Sequence, residues 1–134
     1  MTQTVLVVDD SDTVRRMLRW VLTPLGVRVL EAANGALALE TLDRESVDLV
    51  IADLNMPVMD GIELIRNLRT LPARAELPVL MLTTEAREQD VQAALKAGAS
   101  LYLTKPSTPA VIRYKVLALL NGAGGVPAAG EAAS

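Results

Sequence analysis

Short apolar runs and amphipathic stretches alternate along this chain, and their spacing predicts its elements. Thr4 to Val8 is a Val-rich run of strand length, followed at once by Asp9-Asp10-Ser11-Asp12. Val14, Met17, Leu18, Val21, Leu22 and Leu25 then fall at i, i+3, i+4, i+7, i+8 and i+11, one stripe of an amphipathic helix that Gly26 ends. Val27 to Ala32 reads as a second strand, Asn34-Gly35 as a turn, and Ala36 to Arg44 as a helix with Leu39 and Leu42 inward. Leu49 to Ala52 has the length and β-branched content of a strand buried on both faces, and it stops at a carboxylate, Asp53. Pro57 forbids further pairing, Asp60-Gly61 is a turn dipeptide, and Ile62, Ile65 and Leu68 place a helix from Gly61 to about Thr70. Leu71 to Leu77 is a polar loop, Val79 to Thr83 a strand, and Glu85 to Ala97 a helix stopped by Gly98. Ser100 to Thr104 is a fifth strand, Lys105-Pro106 a break, and Thr108 to Asn121 a last helix.

Five strands alternating with five helices predict an α/β fold, a doubly wound parallel sheet with helices on both faces and right-handed crossovers. The pattern marks residues 1–121 as one domain. Gly122 to Ser134, rich in Gly and Ala and without periodicity, is expected to be a disordered tail.

Composition narrows the chemistry. A chain of 134 residues holds one domain with a real core, and although 51% of it is hydrophobic, no run reaches a membrane span. The opening Met1-Thr2-Gln3-Thr4 has no basic region, so no signal peptide is expected and the protein is read as soluble and cytoplasmic. Without Cys or His there is no disulfide framework, no ordinary zinc site and no Ser-His or Cys-His nucleophile pair. The net charge of −3 gives no general reason to bind nucleic acid, and Arg15, Arg16 and Arg19 read as the solvated face of one helix.

The polar residues at strand ends are Asp9 and Asp10 after the first strand, Asp53 after the third, Thr83 after the fourth and Lys105 after the fifth. In a parallel sheet they share the carboxyl edge, where such folds bind ligands. Three carboxylates crowded there repel unless compensated, and a Mg²⁺ ion, which prefers oxygen ligands, compensates them. With roughly −3 from the acids, +2 from the metal and +1 from Lys105, the site is near neutral and accepts a phosphoryl group. Thr83 and Lys105 suit its oxygens, and Asp53 suits the nucleophile of an aspartyl-phosphate.

Asp9-Asp10, Asp53 with Asn55-Met56-Pro57 and Asp60-Gly61, Thr83, Tyr102 and Lys105-Pro106 follow one another in the order of a known family. From about Thr4 to Asn121 the chain resembles the receiver domain of bacterial two-component response regulators. Within it, Asn55-Met56-Pro57 and Thr83-Thr84-Glu85-Ala86 are similar to the free-standing chemotaxis regulators. The resemblance implies the flavodoxin-like strand order 2-1-3-4-5, phosphorylation of Asp53 by a sensor histidine kinase, and Mg²⁺ held by Asp10, Asp53 and the backbone carbonyl of Asn55, with Asp9 acting through water. It implies a cis Lys105–Pro106 bond, a switch through Thr83 and Tyr102, and tuning of dephosphorylation by Asn55 and Glu85. The only chemistry expected is the chain's own phosphorylation and dephosphorylation, with the signal passed to a separate output protein. Motility switching, pilus-based movement and a phosphate sink all fit, and the subfamily likeness favours motility.

Two departures stand out. Ser107 follows Lys105-Pro106 where many members carry Phe, and the last helix has a second stripe, Val111, Tyr114 and Leu117, that faces water. Next to Tyr102, that stripe reads as a partner or dimer surface of a monomer or weak dimer. The rival reading is a haloacid-dehalogenase-like phosphatase, because Asp10-Ser11-Asp12-Thr13-Val14 fits its first motif, with Asp10 the nucleophile and Asp12 the acid. That family needs a further acidic motif after the Lys, where this chain has only Glu131, and it leaves Asp53 without a role.

Overall fold

The computed structural model describes residues 2–122. Five parallel strands, β1 (Thr4–Val8), β2 (Arg28–Ala32), β3 (Leu49–Ala52), β4 (Val79–Thr83) and β5 (Leu101–Thr104), lie in the order β2-β1-β3-β4-β5. The central three are buried throughout, whereas β2 and β5 form the edges and are partly exposed. Alternate residues of the central strands face opposite sides. Leu6, Val8, Val50, Ala52, Val79 and Met81 build one core with α2 (Gly35–Arg44), α3 (Gly61–Arg69) and α4 (Glu88–Ala97). Val5, Val7, Leu49, Ile51, Leu80 and Leu82 build the other with α1 (Asp12–Leu22) and α5 (Pro109–Leu120). The predicted fold class and strand order are those observed.

Helix starts follow local chemistry. Ser11, Asn34, Asp60 and Thr108 each accept a hydrogen bond from a backbone N–H of the turn they cap, and Asp60 forms a reciprocal capping box with Glu63. Two boundaries differ from expectation by three residues, the others by one at most. The first helix ends at Leu22 rather than Leu25, because Pro24 lacks the donor an α-helix needs there, and a 3-10 turn at Thr23–Leu25 leads into Gly26 at φ 71°. The fourth helix begins at Glu88 rather than Glu85. Residues 84–87 instead form a connection in which the Glu85 N–H donates to Thr83 Oγ1 and its carbonyl accepts from the Tyr102 hydroxyl.

Met17, placed in the inward stripe by its spacing, is 39% exposed at the rim of that stripe. Among the described residues no helix is long and apolar enough to cross a membrane. The tail expected from Gly122 onward lies, past Gly122, outside the described residues.

Candidate functional site

Strand register builds the site. Val8 pairs with Ala52 across β1 and β3, so Asp9 and Asp53, each one residue further on, leave the sheet side by side. Thr83 pairs with Thr104 across β4 and β5, which brings Lys105 to the same edge. The carboxylate oxygens of Asp9, Asp10 and Asp53 offer ligand atoms within 4.8 Å of one another. Lys105 Nζ lies 3.0 Å from Asp9 Oδ2 and 3.8 Å from Asp53 Oδ2. The Lys105–Pro106 peptide is cis.

Each acid is held differently. Asp9 is buried; its Oδ1 accepts from the Ser11 N–H at 2.9 Å and its own N–H donates to the Ala32 carbonyl. Asp53 is half-buried, and its Oδ1 accepts from the Leu54 N–H at 2.8 Å. Asp10 is exposed. An all-oxygen donor set of three carboxylates fits a hard divalent cation such as Mg²⁺, which dehydrates reluctantly and takes few protein ligands. Asn55, two residues beyond Asp53, is exposed on the following loop.

That loop is tied down from both ends. The Gly61 N–H donates to the Leu54 carbonyl at 2.8 Å, and the Gly35 N–H at the start of α2 donates to the Met59 carbonyl at 3.1 Å. A Cβ on Gly61 would collide with the Asp53 carbonyl and approach Met81 Cε to 2.9 Å, so the loop closes against the site only with glycine here. Between these anchors Val58 takes φ 70°, the one non-glycine with positive φ among the described residues.

Thr83 is 1% exposed at the end of β4. Tyr102, half-buried on β5, turns its ring toward the α2–α4 core, and its hydroxyl donates to the Glu85 carbonyl at 2.6 Å. Burial, together with Asp90, Glu85 and Asp53 nearby, raises its phenol above the ordinary value. Glu85 is half-buried, its backbone joined to both Thr83 and Tyr102. The second stripe of α5 faces out as expected, with Tyr114 70% exposed and Val111 and Leu117 each 41% exposed. Ser107, with Met17, Leu82, Pro106 and Ile112, lines a mostly apolar cavity of about 320 Å³ beside Lys105.

Reading Arg15 as a solvated charge needs correcting. Its side chain is 13% exposed, and its guanidinium donates to the Asp9 carbonyl at 2.5 Å and to Glu31 Oε1 at 3.0 Å, and pairs with Asp12. Burial alone pushes the Glu31 carboxyl up, but Arg19 and Arg15 outweigh it and hold it below the ordinary value. Asp12, the acid of the phosphatase reading, points outward to Arg15 with its side chain 77% exposed, while Asp53 stands in the cluster that reading leaves unused. The phosphatase alternative is therefore unsupported.

Comparison with known proteins gives the same assignment. A profile described as "Response regulator receiver domain" matches residues 5–117. The chain is 43% identical over 126 residues to a "Chemotaxis protein CheY homolog" of Campylobacter jejuni, covering 92% of this chain and 97% of that one. It is 42% identical over 118 residues to "Chemotaxis protein CheY1" of Helicobacter pylori, covering 87% and 95%. The structure of Vibrio cholerae chemotaxis protein CheY4 superposes with a TM-score of 0.84 at 34% identity, covering 89% of this chain and 99% of that one.

Proposed function

The chain belongs to the response regulator receiver domain family, and on that premise we propose that it is a phosphoacceptor switch of a two-component pathway, with residues 1–121 acting as one receiver unit. The observation that carries this reading is the meeting of three carboxylates and Lys105 at one sheet edge. An Asp53 oxygen attacks the phosphorus of a phosphohistidine on a sensor kinase; the P–N bond breaks and the imidazole keeps the electron pair and takes a proton. Asp10, Asp53 and the Asn55 carbonyl, with Asp9 acting through water, would hold a Mg²⁺ ion, which when bound would neutralise charge on the phosphoryl oxygens. Lys105 and the Thr83 hydroxyl are assigned to those oxygens, and Asn55 and Glu85 to tuning the lifetime of the acyl phosphate.

The output switch is assigned to Thr83 and Tyr102. Glu85 supports it, because its N–H contacts the Thr83 hydroxyl while its carbonyl holds the Tyr102 hydroxyl, so motion of one is felt by the other. A separate output protein, or a second copy in a weak dimer, docks on Tyr102, Val111, Tyr114 and Leu117. The chemotaxis names of the relatives favour a motility output. Incubation with acetyl phosphate tests the reading: intact mass should rise by one phosphoryl group with Mg²⁺, and no rise should occur with chelator or in Asp53→Ala. A rise independent of Mg²⁺ and of Asp53 contradicts it.

A further inference from the structure

The three site acids differ in what fixes them. The Asp9 carboxylate is held by the Ser11 N–H and Lys105, and the Asp53 carboxylate by the Leu54 N–H. The Asp10 carboxylate accepts no hydrogen bond among the described residues, so its placement is inherited from the backbone that carries it. The peptide that leaves Asp10 is held by the Ser11 N–H bond to Asp9 Oδ1, and the peptide that enters it is held by one side chain from α1. Where β1 ends, the Asp9 N–H still reaches across to Ala32 on β2, but the Asp9 carbonyl, on the peptide leading into Asp10, accepts from Arg15 Nη1 at 2.5 Å.

Arg15 is itself braced. Its Nε donates to Glu31 Oε1 at 3.0 Å, and Glu31 sits on β2 opposite Val7 of β1, with Arg19 Nε on its other oxygen at 2.9 Å. We propose that Arg15 is a positioning residue for cation binding: bridging Glu31 and the Asp9 carbonyl, its guanidinium fixes the Asp9–Asp10 peptide so that the Asp10 carboxylate meets those of Asp9 and Asp53. The inference rests on the proposed cation site. The sign of its effect separates it from simple electrostatics, since removing a positive charge beside an acidic site should by Coulomb's law tighten cation binding. Loss of positioning weakens it, as loss of an outer partner of a metal ligand does.

The test is calorimetric titration of Mg²⁺ alone into the full chain, comparing wild type with Arg15→Gln, Arg15→Lys and Arg19→Gln. Arg15→Gln should bind Mg²⁺ about tenfold more weakly, while Arg19→Gln, which loses a Glu31 contact but no contact to Asp9, should stay within about twofold of wild type. Arg15→Lys keeps the charge but cannot span both acceptors, so it too should bind more weakly, and it carries the comparison if Arg15→Gln does not fold. Arg15 variants that bind Mg²⁺ as tightly as wild type, or more tightly, overturn the inference, as does an Arg19→Gln loss equal to that of Arg15→Gln. A wild-type chain that binds no Mg²⁺ overturns the cation reading and this inference with it.

Discussion

Val58 shows what the site loop demands of single residues. A β-branched side chain at φ 70° crowds its own carbonyl, and at 81% exposure it gains little burial in return. The left-handed conformation costs an L-residue about 1–2 kcal/mol, and Asn tolerates it better. Val58→Asn should therefore raise the calorimetric unfolding temperature by about 3 °C, and a lowered one would show that Val58 makes a contact that offsets its strain. Tyr102 gives a second prediction. Because its phenol is raised in the fold, the folded chain holds that proton to higher pH than the unfolded chain. The resulting stability is complete below about pH 10 and is lost as pH rises through the raised value. Ultraviolet titration should show a phenol ionising above about 10 that Tyr102→Phe removes, and the urea midpoint should fall more steeply with alkali in wild type than in Tyr102→Phe. Equal alkaline slopes would contradict the assignment.

Among the elements, α5 departs most from an ordinary surface helix. Ile112, Val116 and Leu119 are buried while Val111, Tyr114 and Leu117 stay exposed, so its apolar residues run round the helix rather than along one face. Tyr114→Glu with Leu117→Glu should leave the unfolding temperature nearly unchanged yet abolish partner binding and any self-association seen by sedimentation. Unchanged association would show the stripe to be incidental. The same elements show what could be read beforehand. The strands β1, β3, β4 and β5 were legible because short apolar runs end abruptly in acids or Thr, and the two stripes of α5 because their spacing is local. The start of α4 was not, since the hydrogen bond that keeps Glu85 out of the helix comes from Tyr102 on another strand. Pro24 did carry a local signal for the early end of α1, and Gly26 as a terminator concealed it.

At the scale of the whole molecule, the site exists because parallel topology delivers five strand ends to one edge, and register sets Asp9 beside Asp53 and Lys105 within reach of both. That convergence follows from strand order, so the acids, Thr83 and Lys105 were readable from sequence. Arg15 was not, because what distinguishes it from Arg16 is Glu31 on a neighbouring strand and a backbone carbonyl, neither visible in a helical pattern. Gly61 was read as a turn residue, and its close approach to the Asp53 carbonyl appears only once the loop is folded back. The edge formed this way is expected to take its phosphoryl group on Asp53. Borohydride reduction of the acetyl phosphate-treated chain, followed by peptide mass spectrometry, reads the site directly, because reduction of an aspartyl-phosphate leaves homoserine. Homoserine at position 53, formed only with Mg²⁺ present, is the predicted result; homoserine at position 10 instead, or at neither position, contradicts it.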